Sequence, residues 1–197
     1  MMYSALNLRP YFTVKPANDS YWFLAVGYFN VILPTFIPRS IDISSVFWHR
    51  ARVAKEQSTR AAKNRMIVSR SLLMAEERGQ RARLWAREDD ERERGTFVPP
   101  PAMTTDTAPR APSAALIGLS LLGNLDGIYK HGAFPTIKLH TLTTGSRQRS
   151  GGMLLFGYTF AGKLWISLGY DVNGFEKVMV EQFWENVLQT TDELLLK

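Results

Sequence analysis

Three histidines are the residues of this 197-residue chain best suited to general-base or metal chemistry. His49, His131 and His140 are too scattered to predict a zinc cluster, and no cysteine is present to form a thiolate ligand or a disulfide. The chain also lacks the G-x-S-x-G elbow of serine hydrolases and the phosphate-binding loops G-x-x-x-x-G-K-[ST] and G-x-G-x-x-G. Asp126, beside Gly127, is typical of a turn. Spacing alone therefore predicts neither a metal site nor a self-contained active site.

Positive charge is concentrated between Phe47 and Leu73. Seven basic residues there stand against one acid, Glu56, so the segment carries +6, which is the net charge of the whole chain. The basic residues are Arg50, Arg52, Lys55, Arg60, Lys63, Arg65 and Arg70. Such a surface attracts the phosphates of a nucleotide-bearing cofactor or of nucleic acid, and the alternative is a solvated helix face. Between Trp48 and Trp85 no aromatic residue is available for base stacking, so we expect no nucleic-acid partner.

Helical periodicity predicts two helices. Asp42, with Ser44 and Ser45, can cap a long basic helix over residues 47–73. The mixed charges from Ala75 to Arg94 are typical of an exposed helix or of a charged hinge, and Gly95 ends the segment. A second helix near the end of the chain is predicted from Asn173 as its cap, with Glu176 completing a capping box.

Apolar runs predict strands at 22–33, 114–122, 135–144, 153–160 and 164–170. The last two strands are joined by a tight turn in which Gly162 takes a positive φ, and both faces of this hairpin are apolar, so we expect helices to cover it. The sequence thus predicts an α/β (α+β) fold with a mixed sheet covered by helices.

One domain over residues 1–197 accounts for these elements, with a mobile Pro- and Thr-rich excursion at about 95–113. The uncharged run at 21–38 is interrupted by Asn30, Pro34 and Pro38, so we expect a buried strand there and no membrane span. No secretory signal is recognised at Met1, which predicts a cytoplasmic protein.

Five segments carry a resemblance to a known superfamily. They are LNLRPYF (6–12), NVILP (30–34), FWHRARVAKEQ (47–57), ALIGLSLLGNLDGIY (115–129) and GGMLLFGYTFAGKLWISLGYD (151–171). Together they resemble the carboxyl-terminal half of CoA-dependent acyltransferases of the chloramphenicol acetyltransferase and condensation-domain superfamily. Within it they are most similar to fungal O-acetyltransferases of secondary metabolism, such as the trichothecene O-acetyltransferases. The resemblance implies one chloramphenicol-acetyltransferase-like half domain.

The catalytic motif of that superfamily is missing. Its general base is the histidine of H-x-x-x-D, whereas here Val53, Pro135 and Thr144 stand four residues after the three histidines. No histidine has a partner that the sequence identifies. The chain therefore resembles an acyltransferase half that is inactive by itself and needs a missing N-terminal half.

In that superfamily two similar halves face each other across a substrate tunnel. The resemblance implies that this chain forms one wall of such a tunnel. It implies that Ser120 and Asn124 contact substrate, although a buried strand serine and a turn asparagine are equally good interpretations. It also implies acetyl-CoA as co-substrate and a small-molecule alcohol, of a mycotoxin-type pathway, as acceptor. The positive charge of the basic helix makes Arg60, Lys63 and Arg65 the candidate ligands of the CoA phosphates.

Two hypotheses of different classes follow. The first is an O-acetyltransferase chain that moves an acetyl group from acetyl-CoA to a hydroxyl. The second is a non-catalytic binding module that uses the basic helix 47–73 on an acidic partner or nucleic acid. The missing aromatic residues on the basic face favour the first.

Overall fold

A computed structural model of the chain describes residues 1–13, 25–98, 117–146, 148 and 151–196. Within these residues the fold is α+β, with five strands and three α-helices. The strands are β1 (Met2–Asn7), β2 (Val26–Val31), β3 (Ile117–Asn124), β4 (Met153–Phe160) and β5 (Lys163–Tyr170), and the helices are α1 (Ile43–Ala62), α2 (Ile67–Glu93) and α3 (Lys177–Leu195). The predicted α+β class is confirmed, and the half-domain fold implied by the resemblance stays a prediction.

The strands form one mixed sheet in the order β2-β1-β3-β4-β5. β1 pairs with β3 and β3 with β4 in parallel, whereas β4 and β5 are antiparallel. Parallel neighbours need long connections, and the segment between β3 and β4 is one of them. Because β1, β3 and β4 run in the same direction, their carboxyl ends meet at one edge of the sheet. The predicted mixed sheet is confirmed.

The β4–β5 hairpin follows the prediction closely. Its two turn residues, Ala161 and Gly162, both have positive φ, at 51° and 69°. This pair of left-handed residues is the pattern of a type I′ turn, whose twist matches that of the flanking strands. The expectation that both faces are covered is wrong at Leu164, which is 61% exposed.

The predicted basic helix over residues 47–73 is two helices. Asp42 caps the first as expected, since its Oδ2 accepts a hydrogen bond from the Ser45 amide at 2.9 Å. That helix, α1, ends at Ala62, and α2 begins at Ile67. At the break the Asn64 side chain accepts a hydrogen bond from the Met66 amide at 2.8 Å, and asparagine favours such local bonds over a continuing helix. Gly95 lies just past the end of α2, with a φ of 70°, as predicted.

No strand forms at 135–144, where one was predicted. The described residues there have no regular structure, and Ile137 and Leu139 are 61% and 46% exposed. A segment of alternating polarity forms a strand only where the backbone N–H and C=O groups can bond to a neighbouring strand. The segment nevertheless contacts the sheet, since the Tyr158 hydroxyl donates a hydrogen bond to the Leu142 carbonyl.

The cap predicted for the last helix is also wrong. The helix begins at Lys177, and its N-cap is Glu176, which makes no side-chain cap bond. Asn173 lies in a preceding turn that Asp171 organises: its Oδ1 accepts a bond from the Asn173 amide at 3.1 Å, and its carbonyl accepts one from Gly174 at 3.2 Å. Asp171 therefore organises the turn before the helix, and neither Asp171 nor Asn173 caps the helix itself.

Three predicted segments fall partly outside the described residues. The strand predicted at 22–33 is β2 at Val26–Val31, and residues 22–24 are not described. Of the excursion at about 95–113, only residues up to 98 are described. The strand predicted at 114–122 is β3 at Ile117–Asn124, and residues 114–116 are not described.

The chain divides into two compact units. One contains Met1–Leu6, Tyr28–Arg60 and Ala115–Lys197, and therefore most of the sheet. The other contains Asn7–Gly27 and Ala61–Ala114; within it the Tyr11 hydroxyl donates to the Ala62 carbonyl at 2.7 Å and Ile67 is buried. The single domain over 1–197 stays a prediction. None of the described helices is both long and apolar enough to span a bilayer.

Candidate ligand-binding site at the end of β3

The segment that follows β3 turns sharply at the carboxyl edge of the sheet. The pairing of β3 with β4 shifts register between Leu121 and Gly123, and Gly123 has a φ of 76°. The Asn124 side chain then accepts a hydrogen bond from the Asp126 amide at 2.9 Å, and the buried Leu125 donates its amide to the Thr159 carbonyl at 2.9 Å. In parallel sheets this edge is where ligands bind.

Asp126 ties this segment to the β4–β5 turn. Its two carboxylate oxygens accept hydrogen bonds from the amides of Ala161, at 2.6 Å, and Gly162, at 2.9 Å. These bonds favour the charged carboxylate, so the pKa of Asp126 lies below its ordinary value. The hydrogen bond from the Gly162 amide contributes most to this shift, and Ala161 and His131 add to it. Asp126 is the predicted turn residue, and it also fixes a hairpin 35 residues further along the chain.

His131 is the second member of this cluster. Its Nε2 lies 3.3 Å from Asp126 Oδ1, and its ring contacts the ring of Phe160 edge-on at 5.1 Å. Phe160 is only 1% exposed, so it is a fixed surface for the imidazole. When Nε2 of a neutral imidazole donates a hydrogen bond to a carboxylate, the other ring nitrogen, Nδ1, is a hydrogen-bond acceptor.

The expectation that no histidine has a recognisable partner is therefore wrong for His131. The sequence signal is a D-x-x-x-x-H spacing in which the acid follows a strand. That spacing alone does not reveal the pair, because the Asp126 carboxylate is oriented by the backbone of a distant turn. His49 and His140 are not part of the cluster: His140 bonds Thr141 Oγ1 at 2.7 Å, and His49 lies on α1.

An apolar cavity of about 430 Å³ opens beside His131. Its wall includes Ile128, Tyr129, Phe134, Ile137 and Leu139, with Lys130 and His131 as its basic residues. Ile128, Phe134 and Ile137 are 61–70% exposed, so the wall is open to solvent. Its size and apolar lining with few polar groups are typical of a small-molecule site.

The predicted substrate residues lie close in sequence to this cavity but do not line it. Ser120 is half-buried on β3, opposite Phe156 of β4. The carboxamide oxygen of Asn124 is engaged by the Asp126 amide, which is the turn role that the sequence left open. A substrate contact by Ser120 or Asn124 stays a prediction.

The predicted phosphate ligands are all exposed. Arg60 lies in the last turn of α1, where it lines an open basin with Arg52, Lys55, Glu56 and Thr59. Lys63 and Arg65 lie in the turn that follows α1. Their assignment to CoA phosphates stays a prediction, and the break at Asn64 removes the continuous basic helix that the binding-module hypothesis used.

Replacing Asp126 with asparagine should lower the thermal midpoint at neutral pH by several degrees, because an amide cannot accept both turn hydrogen bonds. Because the pKa of Asp126 is lower in the folded protein, the ionised carboxylate stabilises the fold at every pH above the pKa that Asp126 has in the unfolded chain. This stabilisation is lost as the pH falls through the pKa of Asp126 in the folded protein. The difference between the wild type and Asp126→Asn should therefore shrink below about pH 4.

Thermal unfolding followed by circular dichroism from pH 7 downward measures this difference. Asp192→Asn, an exposed change on α3, is the matched control and should leave the midpoint unchanged. Equal midpoints for Asp126→Asn and the wild type at pH 7 would show that the Asp126 link is not stabilising.

Comparison of the chain with protein-family models, with curated proteins and with solved structures found no match.

Proposed function

We propose that this chain takes part in acyl transfer from a CoA thioester, acetyl-CoA, to the hydroxyl of a small hydrophobic natural product, and that it supplies the wall that holds the alcohol. The observation that carries this proposal is the apolar cavity at the carboxyl edge of β3, with His131 held at its side by Asp126. The resemblance of five sequence segments to O-acetyltransferases supports the same reaction.

The cavity suits an apolar alcohol better than a charged metabolite. Its wall is mostly aliphatic and aromatic, so a hydrophobic skeleton gains by leaving water. In the neutral tautomer whose Nε2 donates to the Asp126 carboxylate, the other ring nitrogen of His131 is a hydrogen-bond acceptor. A hydroxyl group is the neutral donor that such an acceptor selects.

The chemistry requires a base and a thioester. The alcohol oxygen attacks the thioester carbonyl, a C–O bond forms, the C–S bond breaks, and CoA leaves as a thiolate that takes up a proton. The hydroxyl proton passes to a general base, which we assign to an H-x-x-x-D half that acts together with this chain. His131 is then a positioning residue that orients the hydroxyl, and Arg60, Lys63 and Arg65 attract the CoA phosphates.

The His131–Asp126 pair favours a second candidate function. In many general bases a carboxylate engages one nitrogen of the histidine, as Asp126 does for His131. In this second candidate function His131 itself deprotonates the alcohol, and the chain catalyses transfer alone. We prefer the positioning role because the carboxylate is already committed to two turn amides and His131 is a third exposed, at 34%. Turnover without a second half distinguishes the two roles.

Filling the cavity tests the acceptor site. Ala133 lines it, and Ala133→Phe should weaken the binding of menthol, a small hydrophobic alcohol, roughly tenfold or more, which is about 1.4 kcal/mol. Ligand-observed NMR titration measures the affinity. Ala86→Phe, an exposed change on α2, is the matched control and should leave it unchanged. Menthol binding that is equal in wild type and Ala133→Phe would contradict the assignment of the cavity.

A further inference from the structure

A second cavity lies under the segment that joins β2 to α1. We refer to residues 32–42 as the strap. It has no regular secondary structure, yet it is held in place: Gln57 on α1 donates to the Ile32 carbonyl at 2.8 Å and accepts from the Ile32 amide at 2.9 Å. Further along, the Arg50 guanidinium donates to the Phe36 carbonyl, and Asp42 caps α1. The cavity therefore has a fixed wall on each side.

The strap has an unusually apolar surface for a segment of its length. Phe36, Ile37 and Ile41 are 72%, 51% and 50% exposed. The cavity between the strap and α1 measures about 560 Å³, and Leu33, Phe36 and Ile41 of the strap face Val46 and Val53 of the helix across it. A cavity of this size and lining accommodates an aliphatic chain.

The polar side chains that line the cavity can all donate hydrogen bonds, and the Arg50 guanidinium can only donate. They are the Ser45 hydroxyl, the His49 imidazole and the Arg50 guanidinium, and no acidic side chain is among its described lining residues. Arg50 has five N–H groups in a planar fork, and the Phe36 carbonyl accepts from one of its terminal nitrogens. A guanidinium beside an apolar surface selects an anion with an apolar body, and its fork matches a carboxylate.

We propose that this cavity binds an aliphatic monocarboxylate, with the hydrocarbon chain along Val46 and Val53 and the carboxylate on Arg50. One permanently charged side chain balances one carboxylate, whereas a doubly charged phosphate needs more than one cation in such an apolar site. His49 and Ser45 are further polar residues in the lining of the cavity. The site is distinct from the cavity beside His131 and does not depend on the acyl-transfer proposal.

Decanoate and decanol form a matched pair of probes for this site. Isothermal titration of the full chain should show that decanoate binds more tightly than decanol, because only decanoate pairs with Arg50. Arg50→Gln should weaken decanoate binding roughly tenfold or more, as expected for the loss of a charge-assisted hydrogen bond, and leave decanol unchanged. Arg52→Gln removes the same charge from an exposed position on α1 that does not line the cavity, and it should change decanoate affinity less than about twofold.

A second variant separates binding from any disturbance of the strap. Val53→Phe fills the cavity without removing the bond between Arg50 and Phe36, and it should also abolish decanoate binding while circular dichroism stays that of the wild type. Equal affinities for decanoate and decanol would overturn the assignment of Arg50. Decanoate binding that survives both Arg50→Gln and Val53→Phe would overturn the site.

Discussion

Replacing Phe160 with alanine is expected to lower the free energy of unfolding by about 3–5 kcal/mol. Phe160 is only 1% exposed and packs with Leu125 and Tyr158 in a buried cluster. The rings of Tyr129 and His131 contact it edge-on at 5.5 and 5.1 Å. Truncation leaves a cavity between the sheet and the segment that carries the candidate site, and it removes those aromatic contacts. Urea denaturation measures the loss.

Leu164→Ala is the matched control for that experiment. Leu164 belongs to the same hairpin and is also a large apolar residue, but it is 61% exposed. Its truncation should cost less than about 1 kcal/mol. A loss below about 1 kcal/mol for Phe160→Ala as well would mean that the segment after β3 is not anchored to the hairpin, and the account of the candidate site would fail with it.

Local chemistry is what made parts of this fold predictable. The β4–β5 hairpin follows from two apolar runs and a glycine that accepts a positive φ, and all of these lie within 18 residues. Asp42 and Gly95 mark helix ends for equally local reasons. The α+β class follows from the apolar runs together with the helical pattern, whereas β1, at Met2–Asn7, was not predicted as a strand.

Other features depend on contacts that sequence patterns do not record. Asn64 divides the basic helix because its side chain bonds the Met66 amide, and the periodicity on both sides hides the break. The alternation of Ile137 and Leu139 predicts a strand, but no neighbouring strand pairs with it in the described residues. The His131–Asp126 pair could not be predicted either, because a turn 35 residues further along orients the acid.

From the proposed function we expect that the chain alone shows no acetyl transfer from acetyl-CoA to an alcohol. The proposal assigns the general base to another half, and a general base contributes about 10²–10⁴-fold to the rate. Adding a half that carries H-x-x-x-D, in cis or as a separate chain, should raise the rate by at least that factor. In this complemented reaction His131→Gln should raise KM for the alcohol more than it lowers kcat, as expected for a positioning residue.

Release of free CoA thiol from acetyl-CoA, in the presence of a small hydrophobic alcohol, tests directly whether acyl transfer by this chain depends on a second half. We expect no release above background with this chain alone and sustained release once the H-x-x-x-D half is added. Sustained release by the chain alone, abolished by His131→Gln but retained in His140→Gln, would make His131 the catalytic base and overturn its positioning role.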